Sequence, residues 1–290
     1  MKNTVGFNRT GQIDAYRSLS PDLWQSLRFP IAEIQDTPGL GLFIFDDFTQ
    51  SMPPLAPTLT TQIAYGPYKA YAASGCTISR VSAVNSVELI GGALQIAMDT
   101  DDDEASIAGP ESFLLSGLTT NSGPLVFECC YAQNSIVTNL ASTFIGLAET
   151  DLFTLAANAP NNSGDAIDNS GAMIGFRIEE DGLGVVDTVR SDRATSFTNI
   201  GDTEGGTMAA YTFAKYGMVY DPNNASRCVR FFVNNVECTT ALTRAALIAL
   251  TNLDANALGL LWSVAADSAG TAFKGFMKWW AVGQLYHVGA

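Results

Sequence analysis

The chain has 290 residues, 47% of them hydrophobic and 15% charged, with 29 acidic against 15 basic residues and a formal net charge of −14. That is enough apolar sequence for one large core or two small ones, and too much for a disordered chain. The acidic balance and the scattered Lys and Arg argue against nucleic acid, whose affinity comes mainly from cations on phosphates, and no window approaches the roughly 18 apolar residues that span a bilayer.

Residues 1–44 read as an extended N-terminal arm. The first 30 residues lack the charged, apolar and small-residue order of a secretory signal, which predicts synthesis and assembly in a cytoplasm. "SPDLWQSL" predicts one short helix, with Ser20 as N-cap, Pro21 at the first position and Asp22 in the first turn. "RFPIAEIQDTPGLG" is punctuated by proline and reads as extended. Phe7, Tyr16, Leu23, Trp24, Leu27 and Phe29 are the arm's apolar anchors, expected to bury against neighbouring subunits.

From "GLFIF" onward, short strands alternate with turn residues. "FDDF" (45–48) puts Asp46 and Asp47 side by side, so on a strand they point to opposite faces and cannot act together on one bond. The stretch 49–85 reads as irregular loop plus one strand. "VELIGGALQIAM" (87–98) reads as a strand pair broken at Gly91-Gly92. "DTDDDEAS" follows; Asp99, Asp101 and Asp103 alternate as oxygen ligands do. An EF-hand loop would need Gly and Glu where Glu104 and Pro110 stand. The run therefore reads as a solvated acidic turn, with a looser calcium site as the competing reading.

"PLVFECCYA" (124–132) places Leu125, Phe127, Cys129 and Tyr131 on one face. "STFIGLAE" (142–149) is a further strand. "AMIGFRIEEDGLGVVDTV" (172–189) is a hairpin with Ile174, Phe176 and Ile178 on one face, Gly175, Arg177 and Glu179 on the other, and a turn at Asp181-Gly182. "YTFAKYGMVYD" and "RCVRFFVNNVECT" flank the turn "DPNNAS". "TTALTRAALIAL" (239–250) has helix character. "ALGLLWSVAA" and "FKGFMKWWAVGQLY" are two long apolar strands. Many short strands without βαβ alternation predict an all-β, antiparallel two-sheet β-sandwich at 45–290.

The five cysteines read as buried, reduced thiols. Cys129 and Cys130 point to opposite faces, and a two-residue turn at Asn234-Asn235 sets Cys238 opposite Phe231 and Cys228 opposite Ala241, so neither pair can bond. His287 is the only histidine, which makes a Ser-His-Asp triad improbable and a multi-His zinc site impossible. The Glu-x-Asp-x-Glu spacing of sandwich glycosidases is absent, and so are nucleotide-binding glycine motifs. These absences predict no catalytic, cofactor or metal residues and a chain that is not an enzyme. Trp262, Trp279 and Trp280 read as core, with sugar stacking as the alternative; adjacent Trp279 and Trp280 face opposite sides.

"LVFECCYAQNSIVTNLASTFIGLAET", with Phe127-Glu128, Ser135-Ile136, Thr138 and Gly146 to Glu149, resembles the concanavalin-A-like (laminin-G-like) jelly-roll domains of tailed-bacteriophage structural proteins. Five further segments resemble that family in the same order: "FDDF", "GGALQIAMDTDDDEAS", "IGFRIEEDG", "YGMVYD…VRFFVNNVE" and "FMKWWAVGQL". Asn234-Asn235 stands where the family usually carries Asp-Gly. The resemblance spans roughly 45–286. It implies a virion structural role, expected to be capsid decoration or cement. The partners would be the major capsid protein and further copies of the chain, a homo-oligomer with a trimer at three-fold positions. A glycan-binding module on the virion surface or tail, using loop acids and an exposed tryptophan, is the alternative.

Overall fold

The computed structural model describes residues 19–27, 30–48, 63–73, 75–84, 87–99, 104–117, 122–136, 141–150, 171–179, 184–194, 196–266 and 272–286. Two short helices come first, α1 (Pro21–Gln25) and α2 (Ile31–Asp36), then a 3-10 turn at Pro38–Leu40. The strands are β1 (Gly41–Asp46), β2 (Ile63–Tyr65), β3 (Tyr68–Ala72), β4 (Thr77–Val84), β5 (Val87–Met98), β6 (Glu104–Ala108), β7 (Phe113–Leu114), β8 (Leu125–Gln133), β9 (Ala141–Ala148), β10 (Ala172–Ile178), β11 (Val186–Asp192), β12 (Thr198–Gly201), β13 (Ala214–Tyr220), β14 (Val229–Val233) and β15 (Val236–Leu242). Helix α3 (Arg244–Ile248), β16 (Ala257–Ala266) and β17 (Phe273–Leu285) complete the set.

Two antiparallel sheets form the predicted sandwich. The first runs β15-β14-β13-β8-β17-β5-β4, with β1 on β17; the second runs β12-β11-β10-β9-β16-β6-β3-β2, with β7 on β16. Strand alternation explains the core directly. Leu125, Phe127, Cys129 and Tyr131 of β8, and Tyr216 and Met218 of β13, meet Ile145 and Leu147 of β9, Ile174 and Phe176 of β10, and Trp262 of β16 between the sheets. Trp280 lies in this core while Trp279 packs on the opposite face, among Trp24, Val126 and Cys130. The register shift between Met277 and Trp279 inserts one extra residue into β17.

Four expectations change. "VELIGGALQIAM" is one continuous strand, because Gly92 takes φ 73° inside it, close to the bulge opposite Val81 and Ala83. Residues 63–84 hold three strands rather than one. "RFPIAEIQDTPGLG" is not extended: Pro30 stands at the N-cap of α2 and Pro38 opens the 3-10 turn, so both prolines start helical segments. Asn234 and Asn235 have φ 48° and 68°, the expected tight turn. The register then shifts between Arg230 and Phe232, so Ala241 faces Arg230 rather than Cys228. The Asp181-Gly182 turn lies outside the described residues. Thr243 Oγ1 caps α3 by accepting from the Ala246 N–H.

All five cysteines are free and buried. Burial pushes Cys228 to about 12 and Cys238 to about 11, the first opposed by Arg244 and the second reinforced by Glu204. A thiol reagent at neutral pH should therefore label none of the five in the native protein and all five after denaturation. Gly146 and Gly175 face one another across β9 and β10, and a Cβ on Gly175 would sit 2.7 Å from the Gly146 Cα. Gly175→Ala should lower stability by about 1–3 kcal/mol in a denaturant titration. Gly39→Ala, which meets open space, should change it by less than about 0.5 kcal/mol.

Candidate functional site

The outer face of the first sheet carries the most unusual chemistry. On β8, Val126, Glu128, Cys130 and Ala132 point away from the inter-sheet core. Glu128 is flanked in register by Gly217 of β13 and Ala281 of β17. Its carboxylate is 1% exposed. Oε1 and Oε2 accept from the Ser20 N–H at 3.2 and 3.0 Å, and Oε2 accepts from the Trp24 indole N–H at 2.7 Å. Ser20 thus begins α1 as expected, but its side chain caps nothing and its N–H goes to Glu128. Leu23 lies over Gly217, where a Cβ would come within 2.6 Å of the Leu23 Cδ2. The β14–β15 turn holds the helix from the side: Asn235 Oδ1 accepts from the Leu23 N–H (3.3 Å), and Asn235 Nδ2 donates to Asp22 (2.6 Å).

Leu23 and Trp24 are therefore buried within their own chain, Leu27 packs beside them half-buried, and their apolar surface is spent on the sandwich rather than on a neighbour. Phe7, Tyr16 and Phe29 lie outside the described residues. Burial raises the Glu128 carboxyl above the ordinary range; the Ser20 and Trp24 hydrogen bonds and the Lys215 charge oppose that rise.

Beyond the helix the same face opens into an aromatic ledge. Phe45, 43% exposed, stacks on Trp279 with centroids 6.0 Å apart. The Lys215 ammonium stands 5.9 Å from the Trp279 ring. Tyr211, 39% exposed, lies 6.5 Å from Phe276, and Lys278 Nζ stands 5.4 Å from the Phe213 ring. Lys215 and Lys274 come from β13 and β17, whereas Lys278, 3% exposed, is buried against Phe213.

The second sheet's outer face holds ion pairs. Arg177, buried as few arginines are, donates through Nη2 to Asp187 Oδ2 (3.1 Å) and to Glu179, with its guanidinium 5.7 Å from the Phe197 ring. Asp187 also accepts from the Thr203 N–H (2.7 Å) and Asn199 (3.3 Å). Glu149 accepts from the Ala172 N–H (2.6 Å) and from Arg193 on both oxygens. Asp187 and Glu149 thus have both oxygens occupied.

Asp46 accepts from the Phe48 N–H and the Tyr68 hydroxyl, each at 2.7 Å, and Tyr68 in turn accepts from Trp280 Nε1 at 2.9 Å. It braces a corner of the sandwich. The tryptophans expected as core are core: Trp262, Trp279 and Trp280 are fully buried. A sugar site on an exposed tryptophan is thereby corrected, because the half-exposed ring is Phe45, lying on top of Trp279. Asp101, Asp103 and His287 lie outside the described residues. Among those described, no three His, Cys, Asp or Glu gather to hold a metal. Sequence reasoning gave Glu128, Phe45, Tyr211 and Lys215 no role. Glu128's signal is a lone carboxylate in a nine-residue strand otherwise free of charge.

No family model matches the chain, and no curated protein matches it. Solved structures do. An endo-1,3-β-glucanase from Streptomyces sioyaensis superposes with TM-score 0.52 at 13% identity, covering 86% of this chain and 97% of that one. Peanut lectin gives 0.48 at 10%, covering 84% and 97%. A glucuronan lyase from Trichoderma reesei gives 0.44 at 10%, covering 75% and 90%. The architecture is a jelly-roll sandwich of the concanavalin-like kind. The expectation that the chain is not an enzyme is corrected by the glucanase: a catalytic protein is built on this sandwich, so the fold excludes nothing, and a missing sequence triad cannot stand for missing catalysis.

Glu128 binds its proton more readily folded than unfolded, so its contribution to stability is present below the ordinary glutamate value of 4.5 and is lost as pH rises through the raised folded value. The melting temperature of the native chain minus that of Glu128→Gln should accordingly fall as pH rises from the ordinary glutamate value of 4.5; a difference that rises with pH would reverse the assignment.

Proposed function

We propose that the protein binds carbohydrate on the outer face of its first sheet. The observation that carries this reading is the ledge of Phe45 on Trp279, with Lys215 on the same indole and Tyr211 over Phe276. A half-exposed aromatic plate offers an apolar surface to the C–H face of a pyranose, and the adjacent Lys215 ammonium can donate to its oxygens. The glucanase built on the same sandwich supports the reading by showing that glycan-directed chemistry is compatible with this scaffold.

A second reading keeps the setting that the sequence resemblance implies: a binder on the surface of a phage particle, with the major capsid protein and further copies of the chain as partners. Its support is the six segments in family order. Because Leu23 and Trp24 are internal, contact with the shell would fall to exposed Phe45, Val236, Ile248 and Tyr286. Electron microscopy of particles carrying the chain tests it; a particle of normal composition without the chain on its surface overturns it.

The carbohydrate reading is tested by affinity electrophoresis of the full chain through gels containing neutral β-glucans or uronic-acid polymers, with reducing-end release measured in parallel. Retardation should appear, and Phe45→Ala and Lys215→Ala should each weaken it about tenfold, equal to about 1.4 kcal/mol. Mobility unchanged by every polysaccharide, or retardation indifferent to both substitutions, overturns the reading.

A further inference from the structure

We propose that residues 19–27 are a self-docked plug, and that the socket beneath them, built around Glu128, is a saccharide subsite continuous with the aromatic ledge. The proposal rests on the carbohydrate reading above. Its ligand is a neutral, hydroxyl-rich sugar ring.

The floor of the socket is kept low. Glu128 stands between Gly217 and Ala281, the two smallest side-chain types, on adjacent strands. Gly217 has no room for a Cβ while Leu23 is in place. Onto this floor the plug lays one apolar side chain, one aromatic plate and two N–H groups that converge on a single carboxylate at 2.7–3.2 Å. A pyranose presents the same set: an apolar ring face, and vicinal hydroxyls whose O–H groups reach a carboxylate at about 2.6–2.8 Å. The plug therefore imitates the ligand that the socket would take.

The attachment is also light. Helix α1 has five residues, below the length at which a helix holds itself. Its flank is tied by the Asn235 bonds and by a 3.5 Å contact from Arg230 to Ser26, near solvent. Two residues along β8 from Glu128, Cys130 pairs with Trp279, the base of the ledge. Lys215 links the two parts, since its charge acts on Glu128 while its ammonium stands over Trp279. A sugar chain on the ledge needs to advance only one strand pleat to meet the plug.

The test measures binding of a soluble neutral β-glucan to the full chain, to Leu23→Ser/Trp24→Ala, to that variant with Glu128→Gln added, and to Trp24→Phe. Loosening the plug should tighten binding about tenfold, Trp24→Phe should tighten it less, and Glu128→Gln should remove the gain. A folded double variant that binds no tighter overturns the plug while the intact chain's Phe45-dependent binding leaves the carbohydrate reading standing. Absence of binding in every form overturns both. Should the double variant fail to fold, hydrogen exchange of the native chain decides. Glucan should speed exchange at the Ser20 amide and the Trp24 indole, and protection that is unchanged overturns the proposal.

Discussion

A carboxylate inside a strand that is otherwise free of charge is the constraint around which the first sheet is organised. All nine residues of β8 are buried, and Glu128 is the charged one. Such a group costs several kcal/mol in an apolar setting unless donors reach it. The donors come from residues more than a hundred positions earlier, the Ser20 amide and the Trp24 indole. Once they are in place, much else on that face follows. Gly217 must be small, Asn235 sits in a left-handed turn and reaches Asp22, and Trp24 meets Phe43 in a T-shaped contact. The arm is thus laid on the sandwich through the carboxylate that it covers.

The two outer faces solve the problem of buried charge differently. On the second sheet, Asp187 and Glu149 are each matched by an arginine and a backbone donor, in two separate groups. On the first sheet, one carboxylate is met by a distant segment of the arm, and the lysines beside it lie on aromatic rings. The first arrangement fixes strands; the second, on the plug proposal, leaves a surface whose partners can be exchanged. That contrast is why the functional reading falls on the first sheet.

The fold was largely legible because it is written in short-range alternation. The inward sets Leu125-Phe127-Cys129-Tyr131 and Ile174-Phe176-Ile178 need no distant information, and Asn234-Asn235 announces its own turn. Errors arose where a local breaker had a second use. Gly91-Gly92 reads as a turn but serves a strand beside a bulge, and Pro30 and Pro38 read as stops but begin helical turns. The site was far less legible. Whether Leu23 and Trp24 anchor a neighbour or their own sheet depends on Gly217 and Glu128, which no periodicity connects to them. Nor does a strand pattern reveal that a sandwich of this kind can carry enzyme chemistry.

Strand β17 sits at the middle of the first sheet, pairing with β8 along one edge and with β1 and β5 along the other. It is also the last of the described strands in chain order. During synthesis, β1, β5 and β8 must wait with unsatisfied edges until residue 285 has left the ribosome, more than 150 residues after β8 was made. Sandwiches dominated by such distant pairings close slowly, and open strand edges invite pairing with other chains. The nascent protein is consequently vulnerable to aggregation until β17 has emerged, and a premature stop upstream of Phe273 would leave the first sheet as β15-β14-β13-β8, β5-β4 and an unpaired β1.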